Sequence, residues 1–583
     1  MASSIFSLQG VTLIATIESA LIIKVLPEDI ADAYSLGFVK LVSLVFIINY
    51  GLLFVYSAII YPDFISPLRN IPRPKVCRHI FFMSVDEFKN LVLTRELQWW
   101  LPRMIYSRLA GKATQAELLL DIIQDIPNDG LVALREVTDS RLLVTAPNVL
   151  ADLLVHNSYD FEKPQNMRKF LASVLGKGLV TTEGDEHKFF RKNSLNAFSF
   201  RRVKGLYPMI WKNSIAFTEA LAEDIRQQSA EAEADESSNP PKGKAEITRW
   251  ASKVTLNIIG MAGLGRDFNV LKNSDDPLVE HYETIFNPSK QMLLYFVLSA
   301  WFSVRLVRML PWKKNQVFEQ AMVALKRICS QLVRDKREAI RKNEGENVDI
   351  LSLLIQSENF SDSDLCDQLL TYLAAGHDTS ALALTWICYL LSIDPVRQST
   401  LRSEVREALG SMGGTVSDEL DISGILERLP YLNGVINETV RLYPSIPVTI
   451  RIAARDTFLA GQPIPKGTEI LVSPWVINRS SALWGASAAE FRPERWIEKD
   501  GRPNNTGGAS SNYEFLSFLH GPRACIGQNF AKAELRCLVA AMVARFEWQL
   551  DMDEKDVVPG GAITLAPVYG LHVMLKLLEE KQT

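Results

Sequence analysis

A mainly α-helical body with small β-sheets, standing behind an N-terminal transmembrane helix, is the fold class that this sequence predicts. Three observations predict it. Long stretches hold an apolar-rich helical pattern, above all Asp364 to Ile393, which stops before Asp394-Pro395, and Leu429 to Tyr443, which stops before Pro444. Strand-like segments such as Thr468 to Val472 are few and short. Finally, Leu41 to Tyr61 runs LVSLVFIINYGLLFVYSAIIY without a charged residue, and about 20 such residues cross a bilayer as a helix.

Taken in chain order, residues 1–61 form the anchor region, with the expected span at 41–61. An earlier apolar stretch, 11–26, contains Glu18 and Lys24 and is followed by Pro27, Glu28 and Asp29, so it is the poorer span of the two. Residues 1–10 carry no basic cluster, which argues against a cleaved signal peptide. Lys40 precedes the span and Arg69, Arg73, Lys75 and Arg78 come after it, and the basic flank puts the bulk of the chain on the cytosolic side. Pro62, Pro67, Pro72 and Pro74 then fix their own backbones and bias the residues before them away from helix, so 62–75 is expected to be a stiff hinge.

Residues 76–583 are read as one catalytic body. Its length alone would allow several domains, yet length is only a prior. The segment 227–244, QQSAEAEADESSNPPKGK, has no large apolar residue with which to bury itself and is expected to be a surface loop. Gln291 to Pro311 is apolar apart from two arginines, and suits either a buried helix pair or a dip into a bilayer surface.

Composition excludes some functions. With 22% charged residues and a net charge of −4, the chain has no basic footprint for nucleic acid. Six cysteines in 583 residues are too sparse for a disulfide scaffold, and Cys77, Cys329, Cys366, Cys388 and Cys537 show no zinc-type spacing.

Cys525 differs from the others. It lies in Phe518-Leu519-His520-Gly521-Pro522-Arg523-Ala524-Cys525-Ile526-Gly527, where two glycines let the backbone turn tightly and aim N–H groups at a sulfur. A thiolate ligand to haem iron needs such donors, Ile526 and Phe518 would shield it, and Arg523 suits a porphyrin propionate. A bare Cys-x-Gly is more often a small buried hydrophobe, and a nucleophilic thiol is the other alternative, although no protease-like context surrounds it. With Phe, Gly, Arg, Cys and Gly in register, the loop resembles the haem-binding signature of the cytochrome P-450 family.

Other segments carry the same resemblance, which spans roughly Pro72 to Leu571. Ala375-Gly376-His377-Asp378-Thr379-Ser380 lies on the long helix, where a glycine costs ~1 kcal/mol unless something must approach its backbone. Asp378 and Thr379 offer an acid and a hydroxyl, and together they resemble the oxygen-activating segment of the family. Glu438 and Arg441 share a helix face, an arrangement any helix can carry; Phe491 to Trp496 then supplies Arg495, which by resemblance completes a buried Glu-Arg-Arg network with a structural role. His187 and Arg191 stand four apart where the family often has Trp-x-x-x-Arg. The resemblance implies propionate contact for Arg191, for His187 despite the departure, and for Arg451.

The resemblance further implies haem b with Cys525 as axial iron ligand, with Arg523, Arg451, Arg191, His187, Phe518 and Gly527 around the cofactor. It places Ala375, Ile446, Pro447, Val448, Ile563, Thr564 and Leu565 along the substrate pocket. No dinucleotide-binding Gly-rich turn is evident, so electrons from NADPH are expected through a membrane-bound NADPH-cytochrome P-450 reductase, with cytochrome b5 as an accessory partner. The expected activity is insertion of one atom of dioxygen into a lipophilic small molecule at the cytosolic face of the endoplasmic reticulum, in secondary-metabolite biosynthesis. A haem-thiolate isomerase or dehydratase, and a non-catalytic haem-binding protein, are the rivals; the intact Asp378-Thr379 pair argues against both.

Overall fold

The structure is a computed structural model that describes residues 14–21, 38–73, 115–124, 126–135, 140–232, 240–272, 276–286, 307, 309, 312–344, 348–410, 421–561 and 563–578. Half of the 11–26 stretch (11–13 and 22–26), Pro74, Lys75, Cys77, Arg78 and nearly all of 291–311 lie outside the described residues.

Helix α1, Phe38–Val55, continues as a π-helical turn over Tyr56–Ile65, and its apolar side chains, Ile47, Leu52 and Phe64 among them, face outward. The hinge therefore does not begin at Pro62. A π-helical turn seats the ring of Pro62 without ending the helix, and the chain leaves it only at Ser66, whose N–H donates to the Tyr61 carbonyl at 2.7 Å. The chain beyond Ser66 is stitched to the body. The Pro67 carbonyl accepts from Gln462 Nε2 at 3.0 Å, the Pro72 carbonyl from the Ala133 N–H at 2.9 Å, and Ile71 is buried against the sheet.

That sheet has the order β1-β2-β6-β5-β3, formed by Leu131–Arg135 (β1), Ser140–Val144 (β2), Phe161–Glu162 (β3), Thr449–Ala453 (β5) and Glu469–Val472 (β6). Only β2 and β6 run parallel; the other pairs are antiparallel. Strand β4, Lys242–Glu246, joins a three-stranded sheet with Phe546–Leu550 and His572–Leu577.

Two further two-stranded sheets pair Thr457–Leu459 with Gln462–Ile464 and Pro559–Gly560 with Ala566–Pro567, and most of the rest is helical. The elements that build the site are α2 (Gly184–Ser194), α3 (Phe200–Ala232), α4 (Ile247–Ile259), α5 (Pro277–Phe286), α6 (Lys313–Arg341), α7 (Asp362–Ser392), α8 (Pro430–Leu442) and α9 (Gln528–Arg545). Helix α7 runs through the main core and is apolar on nearly every side, as a central helix must be. Its start is set by a capping box between Ser361 and Asp364, and its end by Asp394-Pro395. The expected surface loop at 227–244 is shorter than its composition suggested. Helix α3 runs to Ala232 and β4 starts at Lys242, because Gln228 reaches across to both the N–H and the carbonyl of Lys244; 233–239 lie outside the described residues.

Candidate functional site

The Cys525 loop is shaped by two left-handed positions, Leu519 (φ 54°) and Gly521 (φ 73°). A Cβ on Gly521 would lie 1.9 Å from the Leu154 carbonyl oxygen, so no other residue fits. The Cys525 N–H closes the loop on the Phe518 carbonyl at 2.8 Å, Arg191 Nη1 donates to the Ala524 carbonyl at 2.6 Å, and the Gly527 N–H donates to the sulfur. Burial pushes the thiol pKa up, while the Gly527 N–H and the Arg191 charge pull it down. Protein surrounds Cys525, yet its side chain remains accessible. Gly527 has an ordinary φ of −89° and a Cβ there would touch nothing among the described residues. The fold does not require that glycine; a planar group lying over it would.

A cluster of buried cations lies nearby. Lys163, Arg451 and Arg523 share one carboxylate, Glu183. Glu183 accepts from the Lys163 N–H at 3.0 Å, from its Nζ at 3.2 Å, and from Arg523 Nε at 3.0 Å; Arg523 Nη2 also reaches Glu183 and Nη1 the Ser158 carbonyl. Among the described residues, the acceptors for Arg451 are neutral, Thr449 Oγ1 and the Ile450 carbonyl. Burial brings Arg451 down to about 10, with Arg523 adding to the effect and Glu183 opposing. Burial likewise takes Lys163 to about 8 against the pull of Glu183. Burial alone would raise Glu183, but Lys163 and Arg523 hold it at about 2. Among the described residues, three cations against one anion leave buried positive charge that a dianionic porphyrin would neutralise, so the residues present fit a haem.

His187 is not the exposed basic residue that its sequence context allowed. It is buried, its Nδ1 lies 3.2 Å from the Tyr159 hydroxyl, and burial together with Lys163 and Arg523 lowers its pKa to about 4, so it is neutral. Arg523 belongs to the cluster, but its fork is filled by Glu183. Sequence reasoning missed Lys163 and Glu183. The one available signal was an acid at the head of helix α2, four residues before His187.

On α7, Ala375 is exposed and Asp378 and Thr379 are half-buried, on a helix whose other residues are mostly buried. Thr379 Oγ1 donates to the Ala375 carbonyl at 2.7 Å, and its own carbonyl accepts from Ser445 Oγ at 2.9 Å. Ser380, the next residue, lies near the buried Glu534 of α9, the helix that comes after Cys525. What approaches Gly376 is the Ile259 side chain of α4, 2.8 Å from where a Cβ would stand, so this glycine serves helix packing.

Two of the expected pocket segments converge on α7. The Leu565 N–H donates to the Ser445 carbonyl at 2.9 Å, and its carbonyl accepts from Trp386 Nε1 at 2.8 Å. Ile446, Pro447, Val448 and Thr564 are half-buried and Ile563 is exposed, whereas Leu565 packs into the core.

Glu438 and Arg441 on α8 are wholly buried. Arg441 forks onto the carboxylate at 2.8 and 2.7 Å and spends Nη1 on the Asn478 and Ala488 carbonyls. Arg495 Nε, Trp496 Nε1 and the Arg492 N–H complete the shell around Glu438. Burial opposes ionisation of Glu438, but the two arginines and Trp496 keep its pKa below the ordinary value.

Comparison with known proteins gives the same answer from another direction. The family model described as Cytochrome P450 matches residues 131–572. The chain is 39% identical over 521 residues to cytochrome P450 monooxygenase sphH of Aspergillus fumigatus, covering 89% of this chain and 90% of the relative. It is 37% identical to cytochrome P450 monooxygenase ptmK of Penicillium ochrochloron (90% and 96% covered) and 34% identical to cytochrome P450 monooxygenase ALT8 of Alternaria alternata (91% and 93%).

Proposed function

Because the chain belongs to the cytochrome P450 family, we propose that Cys525 is the axial ligand of its haem iron and that Asp378 and Thr379 serve the opposite, oxygen-binding side. The enzyme is a haem-thiolate monooxygenase. When bound, the thiolate-ligated haem supplies reductive activation of dioxygen and insertion of one oxygen atom into a C–H bond.

The protein's own residues do the rest. Arg451 and Lys163, whose charge is only partly compensated, would hold the propionates; Arg523 steadies Lys163 through the Glu183 carboxylate they share, and Arg191 fixes the Cys525 loop by its bond to the Ala524 carbonyl. The Gly527 N–H lowers the basicity of the sulfur. Asp378 would relay protons from solvent toward the oxygen-binding side, and Thr379 Oγ1, which now donates to the Ala375 carbonyl, would turn from it to donate there. Glu438, Arg441 and Arg495 take no part in proton transfer and hold the chain around the cysteine loop.

Ala375, Ile446, Pro447, Val448 and Ile563 are the walls of a lipophilic pocket, with Thr564 as its polar exception. Leu565 supports that wall from the core. Helix α1 with its π-helical extension anchors the enzyme in the endoplasmic reticulum membrane, with the body in the cytosol. NADPH-cytochrome P-450 reductase supplies the electrons, cytochrome b5 assists, and the substrate is a secondary metabolite.

The Cys525 loop, with a donor at the sulfur and an open face over Gly527, carries this reading. Cys525→Ser is expected to abolish the red-shifted carbonyl band of the reduced protein. A variant that keeps the band would exclude Cys525 as the ligand. Thr379→Ala is expected to keep the band while diverting NADPH electrons into hydrogen peroxide.

A further inference from the structure

The turn of α7 that carries Asp378 and Thr379 has a second face, and one buried ring occupies it. His377 Nε2 lies 2.9 Å from Ser252 Oγ on α4, and Nδ1 lies 3.0 Å from the Tyr282 hydroxyl on α5. His377 and Tyr282 are both buried, their rings meet edge to face at 5.5 Å, and Tyr282 stacks in turn on Phe286 at 4.4 Å. Burial keeps the imidazole neutral against the pull of Asp378. A neutral ring has one donor and one acceptor, and two hydroxyls can match it in either tautomer. One side chain thus holds three helices together.

Its place in the sequence gives that hold a consequence. Gly376, the preceding residue, only makes room for Ile259 and grips nothing. On the opposite side, Ser445 Oγ holds the Thr379 carbonyl. Between these two fixings the turn has a defined rotation about its axis, and that rotation aims Asp378 and Thr379 together. Asp378 has no hydrogen-bond or ion-pair partner among the described residues, so nothing else fixes its carboxyl there. Its charge is nonetheless felt by both His377 and Tyr282.

We propose that His377 is a positioning residue that clamps α5 and α4 to the Asp378–Thr379 turn through Tyr282 and Ser252, so that the seating of α5 sets the aim of the acid and the hydroxyl. The clamp rests on the reading of Asp378 and Thr379 as the oxygen-side pair. Its part is to hold the Asp378–Thr379 turn through Ser252 and Tyr282.

The test uses the full-length protein with its reductase, and compares Tyr282→Phe and His377→Phe with the parent and with Thr379→Ala. Tyr282→Phe removes one hydroxyl and keeps every ring contact. Three quantities are read without added substrate: the reduced carbonyl band, amide hydrogen exchange, and the share of NADPH electrons recovered as hydrogen peroxide. In both clamp variants the band should persist. Exchange at 277–286 and at 375–380 should rise together by about fivefold, the factor expected for one buried neutral hydrogen bond. The peroxide share should roughly double. A rise in exchange confined to 277–286 overturns the clamp, as does an unchanged peroxide share in the clamp variants beside a Thr379→Ala protein whose share rises. A Thr379→Ala protein whose share stays fixed overturns the oxygen-side reading itself, and the clamp with it.

Discussion

Glu438 is a carboxylate with no exposed surface, and it survives there because each oxygen faces charged or N–H donors from Arg441, Arg495, Arg492 and Trp496. Removing the charge while keeping the shape strands Arg441 in the core. Glu438→Gln should therefore lower the unfolding free energy by about 3–5 kcal/mol, read from the urea midpoint. Glu183 invites a pH experiment instead. Its folded pKa, about 2, lies below its ordinary 4.5, so its contribution to stability is complete above about pH 4.5 and fades as pH falls toward about 2. The gap in urea midpoint between the parent and Glu183→Gln should be flat above about pH 5 and narrow below it. The Glu438–Arg441 pair was legible as an i, i+3 spacing on one helix face, and Cys525 as a dense local motif. Lys163 and Glu183 were not, because each is an isolated charge whose partners lie far off in sequence, Arg523 above all.

At the scale of elements, the long helix was readable because its apolar pattern is continuous and both its ends are written in the chain. Ser361 and Asp364 cap each other's backbone N–H groups, and Asp394-Pro395 closes the far end. Ser361→Ala should cost about 1 kcal/mol, measurable by thermal melting. Elements were misread where a general propensity met a specific partner. Pro62 looked like a helix stop but sits in a π-helical turn, and the polar tract after Gln227 looked unable to order itself until Gln228 met Lys244. Gly376 was read correctly as a site of close approach, but sequence gives no direction, and the approaching group is Ile259. Gly521 is the stricter case, for its missing Cβ clears a backbone carbonyl that cannot move aside as a side chain can. Gly521→Ala should prevent accumulation of haem-loaded protein, checked by absorbance of the purified chain.

Across the whole molecule, the described core joins residues from Ala116 to Leu575 in one cluster, which is why length alone was a poor guide to domain number. The segment after α1 belongs to this body. Deleting residues 1–65 should leave the melting temperature unchanged, whereas deleting 1–73 also removes Ile71 and the acceptors for Gln462 and Ala133, at a cost of at least about 2 kcal/mol. The surplus of buried cations around Glu183 bears on how the protein is made. A newly synthesised chain must enclose Lys163, Arg451 and Arg523 around Glu183, their one counter-anion among the described residues, and a dianionic cofactor that binds only the folded form draws the equilibrium toward folding. Cellular abundance of this enzyme should therefore track the supply of haem during translation. A host starved of haem precursors should degrade most of what its ribosomes complete, and Arg451→Gln should weaken that dependence.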